Sequence, residues 1–422
     1  MSLLANIRSE LTSFGRTEKL FVFFAMLTGF LISSEYAIAR PASQSLLLTI
    51  FSVQVLPWIW LATVPLNLAA IYLYSRFLPK IGPLRMLTYT ALSVIGVNIL
   101  TSYLFPIYPS FILFQFAWKD IYVILMFKQL WSLIHTTIAA SRAKYLFGFI
   151  FGMGTMGGIF GSFVPSHFAV SIGSEKLFLF TLPLYLLLIF AYRNAYLRSL
   201  VSKDAFEHKL TTNPSPKEGF SLIRKNKFLG AVLLLVVLMQ VSVGLIEYQF
   251  NAHLELNILE KDLRTAYYGS TFVYVSLLSG IFQIVGSFLM VRTLGLRGSH
   301  LLIPLLLLGS AVLSLVIPTF ALITFSFVFL KAVDFSLFGV VREMLYIPLQ
   351  LDEKFRAKAI IDVFAYRSSK ALLSLVLLVS QLFVGSYLLA LSPYLSIAVF
   401  IAWASFAYLT FRKYSHSLAP NI

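Results

Sequence analysis

The sequence predicts an all-α membrane protein of about 12 transmembrane helices arranged as two six-helix halves. Three observations predict it. Of the 422 residues, 59% are hydrophobic and 12% charged, with a mean hydropathy of +0.86, and a soluble chain of this size needs more charge to cover its surface. The apolar residues fall in long continuous runs, each able to cross a hydrocarbon core of about 30 Å. Charged and glycine-bearing strings in the first half return in order in the second.

The runs place spans at roughly 19–39, 55–75, 86–104, 109–136, 145–170, 177–197, 229–250, 267–290, 299–318, 319–349, 358–388 and 391–411. They are continuously apolar rather than alternating, so helices and not barrel strands are expected. The segment before them, 1–19, is short, polar and mixed in charge, and the first apolar run lacks a small-residue cleavage site, so no cleavable signal is expected.

Lys and Arg set the expected orientation. Arg8, Arg16 and Lys19 precede span one; Arg76, Lys80 and Arg85 follow span two; Arg142 and Lys144 follow span four. The same side collects Arg193 to Lys227, then Arg292, Arg297, Lys354, Arg356, Lys358, Arg412 and Lys413. Arg40, Lys176, Lys261 and Arg264 fall on the other side. Both termini are therefore expected in the cytoplasm. The net charge of +16 is accounted for by orientation, and nucleic acid is not an expected partner. The polar stretch 198–228, with Asn213-Pro214-Ser215-Pro216 at its middle, reads as a linker between bundles 1–197 and 229–422.

Two halves related by a shift of 212–214 residues support that division. Glu35-Tyr36 returns as Glu247-Tyr248, and Gly82-Pro83-Leu84-Arg85 has a counterpart in Gly295-Leu296-Arg297. Asp120 returns as Asp334, Lys128-Gln129 as Arg342-Glu343, and Arg142-Ala143-Lys144 as Arg356-Ala357-Lys358. Six helices separate equivalent elements, so both copies cross in the same direction. This is the parallel repeat of major-facilitator transporters, which place their site near the midplane.

Charges inside spans are the candidate functional residues: Lys119, Lys128, Lys331, Arg342, Arg367 and Lys370, with Glu35, Asp120, Glu247, Asp334, Glu343 and Asp362. Facing lipid, each costs about 2.5–3.5 kcal/mol or more near the midplane, so each must pair or face a wet cavity. Lys370 lies ~18 Å inside the cytoplasmic edge of its span at ~1.5 Å per residue. Arg367, three residues earlier, shares its face. Arg342 and Lys370 have no acid one turn away that would neutralise both, which suits them to an anion; Arg binds phosphate or carboxylate bidentately, and Lys supplies a point charge. Lys128 and Arg367 are further candidates for the same anion. Lys119, Asp120 and Asp334 are read equally as buried structural pairs. Glu35 sits near the outer end of span one, either interfacial or as a coupling charge like Glu343 and Asp362, and Glu247 sits in span seven.

Other chemistries find no support. The chain has no Cys, which excludes disulfides, thiol catalysis and thiolate metal sites. The six His are scattered without ligand spacing, so no metal is expected. Gly152-Met153-Gly154-Thr155-Met156-Gly157 fits a dinucleotide-binding string, but it lies inside span five, and the glycines from Gly148 to Gly161 have the spacing of close helix packing. Without a Walker A string, a nucleophile–base pair or a cofactor motif, neither ATP-driven pumping, an enzyme nor a cofactor is expected. Trp58, Trp60 and Tyr72 to Tyr74 on span two read as packing residues before they read as a base-stacking surface.

Arg342-Glu343-Met344-Leu345-Tyr346-Ile347-Pro348-Leu349 and Arg356-Ala357-Lys358-Ala359-Ile360-Ile361-Asp362-Val363 resemble the ATP/ADP translocase family of plastids and intracellular bacteria. Leu130-Trp131, Ala143-Lys144 before Phe147-Gly148, and the region of Glu247 are similar too. The resemblance implies a major-facilitator-like fold in a bacterial inner membrane and exchange of nucleotides, and it implies transport roles for Glu247 and Lys370. Two further charges of that family have no counterpart: Ser43 stands where a Lys is expected, and Gln129 stands where a Glu is expected. A proton-coupled carrier of another small anion is the alternative, motivated by the intramembrane acids.

Overall fold

The computed structural model describes residues 15–138, 140–199, 221, 223–345, 361 and 365–414. The linker centred on Asn213-Pro214 and the motif residues 346–360 and 362–364 lie outside the described residues.

The described chain is helical, with no strand. The helices are α1 (Arg16–Phe51), α2 (Leu56–Ile81), α3 (Pro83–Leu104), α4 (Phe111–Thr137), α5 (Ala140–Ile172), α6 (Thr181–Arg198), α7 (Lys227–Asn257), α8 (Lys261–Ile281), α9 (Ser287–Val316), α10 (Phe320–Phe335), α11 (Leu337–Leu345), α12 (Tyr366–Val384) and α13 (Leu388–Lys413). Among the described residues nine helices are long and apolar enough to cross a membrane. The chain is thus a multi-pass, all-α membrane protein.

Local chemistry explains the boundaries. Gly82 adopts φ +82° and Pro83 opens α3, a pairing in which glycine takes the left-handed turn and proline the first helical position. Asn226 caps α7 by accepting from the amides of Phe228 and Leu229. Thr319 caps α10 by accepting from the amide of Leu322. Spans eight and nine meet at Gly295, whose φ of +65° interrupts the otherwise continuous α9. Span ten is not one helix: it breaks at Ser336 between α10 and α11. Helix α1 runs to Phe51, well past the predicted end at 39. Arg40, expected outside the membrane, is in consequence buried within this helix, its guanidinium 4.3 Å from the Phe272 ring centre.

The chain sorts into two compact units, each holding most of one half of the sequence and one segment of the other. Unit 1 comprises Met1–Ile50, Pro65–Asn213 and Glu260–Ser276; unit 2 comprises Phe51–Val64, Pro214–Leu259 and Leu277–Ile422. In unit 1 a core built on Phe21, Leu31, Tyr122, Leu130, Tyr185 and Tyr192 joins α1, α3, α4 and α6. Helix α5 enters through its glycines. A Cβ on Gly157 would fall into the Phe30 carbonyl, and one on Gly161 into the backbone of Ser34. In lipid, where helix association rests on close packing rather than on expulsion of water, such small residues let backbones touch. The Gly-rich string is therefore a packing surface for α1. In unit 2, α7 is buried along most of its length and packs against α10, α12 and α13. Phe250 of α7 stacks on Phe327 of α10 with ring centres 4.1 Å apart, and Gly244 leaves room for Leu373 of α12.

Candidate functional site

Several of the intramembrane charges meet partners within the same unit. Glu247 is ion-paired. Its carboxylate meets Lys331 Nζ of α10 at 2.8 Å, and both side chains are nearly inaccessible, at 11% and 6% exposure. One turn along α10, Asp334 accepts from Gln240 Nε2 of α7 at 3.2 Å. These contacts tie α7 to α10 through charge where apolar packing alone would leave registry open.

The shift of 212 residues that relates Glu35 to Glu247 also relates Lys119 to Lys331. The first-half pair is arranged differently. Glu35 is 1% exposed and accepts from Tyr122 Oη at 2.6 Å, with Tyr185 and Asn98 beside it. Lys119 is also 1% exposed; its ammonium donates to Ser43 Oγ at 3.0 Å and lies 3.8 Å from Asp120. Asn98 continues the polar chain, accepting from Gln115 and donating to Thr181 Oγ1. Glu35 is thus an interior group of unit 1, and an interfacial placement is ruled out by its burial. The Ser43 position, where the family resemblance leads one to expect a lysine, receives an ammonium from α4 instead. Gln129, the other departure, is buried and bonds the Pro83 carbonyl.

Of the predicted anion-binding cations, Lys128 is half-buried with its ammonium 5.7 Å from the Tyr74 ring centre. Arg342 is half-buried on α11. Asp362 lies outside the described residues, as do the side chains of Arg367 and Glu343. Lys370 stands apart. It is half-buried on α12, and its ammonium lies 4.8 Å from the ring centre of Trp60 of α2. Among the described residues that ammonium makes no hydrogen bond and no ion pair. An aromatic face stabilises a cation through its quadrupole without cancelling the charge, so Lys370 keeps its full attraction for an anion. The sequence marks Trp60 as a packing residue; its contact with Lys370 is not legible there, because it joins the second helix to the penultimate one.

A small cavity in unit 2, lined by Gln249, His253, Ser310, Ser314 and Ser326 among others, includes none of these cations. Among the described residues no cluster of His, Asp and Glu could hold a metal ion.

With the helices and their buried charges placed, comparisons with known proteins show what this membrane chain is similar to. The model of the TLC ATP/ADP transporter family matches residues 96–414, and the chain belongs to that family. ADP,ATP carrier protein 1 of Rickettsia typhi is 24% identical over 298 residues, covering 63% of this chain and 59% of the carrier. ADP,ATP carrier protein 1 of Chlamydia muridarum is 25% identical over 203 residues, covering 43% and 38%. The alignments thus span at most about three-fifths of these relatives' length. Among solved structures, a crystal structure of the nucleoside transporter NupG matches with a TM-score of 0.64 at 11% identity, over 94% of this chain and 99% of that one. The D-xylose-proton symporter matches with a TM-score of 0.64 at 16% identity, over 93% and 97%. These likenesses show the fold, which is major-facilitator-like.

Proposed function

We propose that this chain carries nucleotides across a bacterial inner membrane by alternating access, in ATP/ADP-type exchange or with a related nucleotide, both termini being cytoplasmic. The observation that carries the proposal is Lys370: a cation inside a span, braced by an indole and matched by no carboxylate among the described residues. The 24% identity to an ADP,ATP carrier supports nucleotide as the anion. Arg342 and Arg367, in the same unit as Lys370, are proposed to add the further positive charge that a polyphosphate demands, and Lys128 is proposed as a contact from the other unit's own sequence. Glu247 holds Lys331 in this state and exchanges that partner as the carrier cycles. Cations held within the membrane are costly to reorient without an anion, which favours strict exchange over net movement.

The test is uptake of radiolabelled ATP, ADP and other nucleotides into proteoliposomes preloaded with unlabelled nucleotide. Exchange is expected, with Lys370→Gln losing most of it and Lys370→Arg retaining part. Absence of uptake for every nucleotide by folded protein overturns the proposal.

A second reading, proton-coupled transport of another small anion, is favoured by one observation. Glu35 is a fully buried carboxyl whose described hydrogen-bond donor, Tyr122, is neutral. Under this reading, collapsing the proton gradient stops transport and counter-substrate has no effect. Exchange that persists without a gradient removes it.

A further inference from the structure

We propose that Trp60 is a positioning residue of the anion site, its indole face holding the Lys370 ammonium in place and open to a phosphate group; this rests on the nucleotide-carrier reading above. Trp60 is 1% exposed, so its ring is fixed by packing and is not a mobile surface aromatic. It lies in the segment Phe51–Val64, which belongs to unit 2 although it comes from the first half of the chain. Two contacts hold that segment. Glu255 Oε2, near the end of α7, accepts from the Val53 amide at 2.7 Å, and Thr63 Oγ1 donates to the Trp60 carbonyl at 2.8 Å. The turn leading into Val53 is set by Ser52, which adopts φ 56° and accepts from the Gln54 amide.

The choice of an aromatic partner has a chemical consequence. A carboxylate at this position would hold the ammonium more tightly, but it would compete with the ligand's phosphate for the same charge. The indole supplies attraction from its π face and leaves the ammonium's hydrogens for an incoming anion. Glu247 and Lys331 show the contrast in the same unit: there the lysine already holds an acid at 2.8 Å.

The test compares wild type, Trp60→Leu, Lys370→Gln and the double variant in detergent, measuring binding of ADP and of inorganic pyrophosphate by ligand-dependent thermal shift. Trp60→Leu is expected to weaken binding roughly 3- to 30-fold when Lys370 is present and to add nothing in the Lys370→Gln background. In transport the loss falls on KM, with kcat largely kept. If Trp60→Leu weakens binding equally in both backgrounds, or leaves it unchanged, Trp60 is a packing residue and the proposal fails while the carrier reading stands. If wild type binds neither probe, the carrier reading fails and takes this one with it. Should Trp60→Leu not fold, Trp60→Phe keeps an aromatic face. Pyrophosphate is then expected to change the tryptophan emission of wild type and not that of Trp60→Phe, and an identical change in both overturns the proposal.

Discussion

Removing Lys331 takes away the cation that Glu247 meets at 2.8 Å, and the structure sets the size of the effect. The two groups are 2.8 Å apart with exposures of 6% and 11%. At an effective dielectric of about 20, that separation corresponds to roughly 6 kcal/mol of gross attraction. Desolvation of both groups offsets most of this, so the net worth of the pair is small. Breaking it is another matter. Lys331→Met leaves a carboxylate buried without its cation, at a cost of about 3–5 kcal/mol. At roughly 2 °C per kcal/mol for a chain of this size, the apparent Tm falls by about 6–10 °C. Neutralising both partners in Glu247→Gln/Lys331→Met should restore part of that loss: Glu247 no longer carries a charge, while the neighbouring Asp334 still lacks Lys331. The assay is thermal unfolding in a fixed detergent, followed by light scattering or size-exclusion chromatography. A Lys331→Met protein as stable as wild type, or a double variant with no gain at all over the single, refutes the account of Glu247 as a buried ion-paired carboxylate. Transport separates structure from function: the double variant, folded yet without the pair, should exchange nucleotide poorly if the pair must form and break in the cycle.

Three further outcomes follow from the geometry. Tyr122→Phe removes the hydroxyl that donates to Glu35 at 2.6 Å and should destabilise by about 1–3 kcal/mol, with Glu35→Gln in the same background recovering part; unchanged thermal stability of Tyr122→Phe contradicts the buried network. Gly161→Leu inserts a side chain where even a Cβ meets the Ser34 backbone, so the yield of folded protein should collapse, whereas Gly152→Ala, with open space around it, should be silent; comparable yields for both would show that α5 does not pack on α1 as described. Lys261 Nζ meets Glu175 Oε2 at 2.6 Å, with 31% and 16% exposure. Solvent screening holds such a pair to at most about 1 kcal/mol, so Glu175→Gln should lower Tm slightly and lose that difference in high salt. Asp262→Asn, which alters the acceptor for both the Ser174 amide and hydroxyl, should cost more, and the reverse order would overturn the ranking.

Much of the architecture was legible in the residues because the bilayer imposes a simple requirement. A backbone crossing hydrocarbon must satisfy its own hydrogen bonds, so long apolar runs become helices, and few charges inside them can be idle. Composition, the runs, the parallel repeat and the motif beginning at Arg342 therefore sufficed for the fold class and the family. Helix ends were less legible: α1 continues to Phe51 through Arg40 because that arginine finds the Phe272 ring, a partner distant in sequence. The partners of the intramembrane charges were decided only in three dimensions. Glu35 and Glu247 occupy repeat-related positions, yet one accepts from a tyrosine and the other holds a lysine. Lys119 reaches Ser43, and Lys370 rests on Trp60. The pattern of a sequence records which side chains cannot face lipid, since that penalty belongs to each residue alone. What each finds instead depends on distance and direction between helices far apart along the chain, and packing alone determines that.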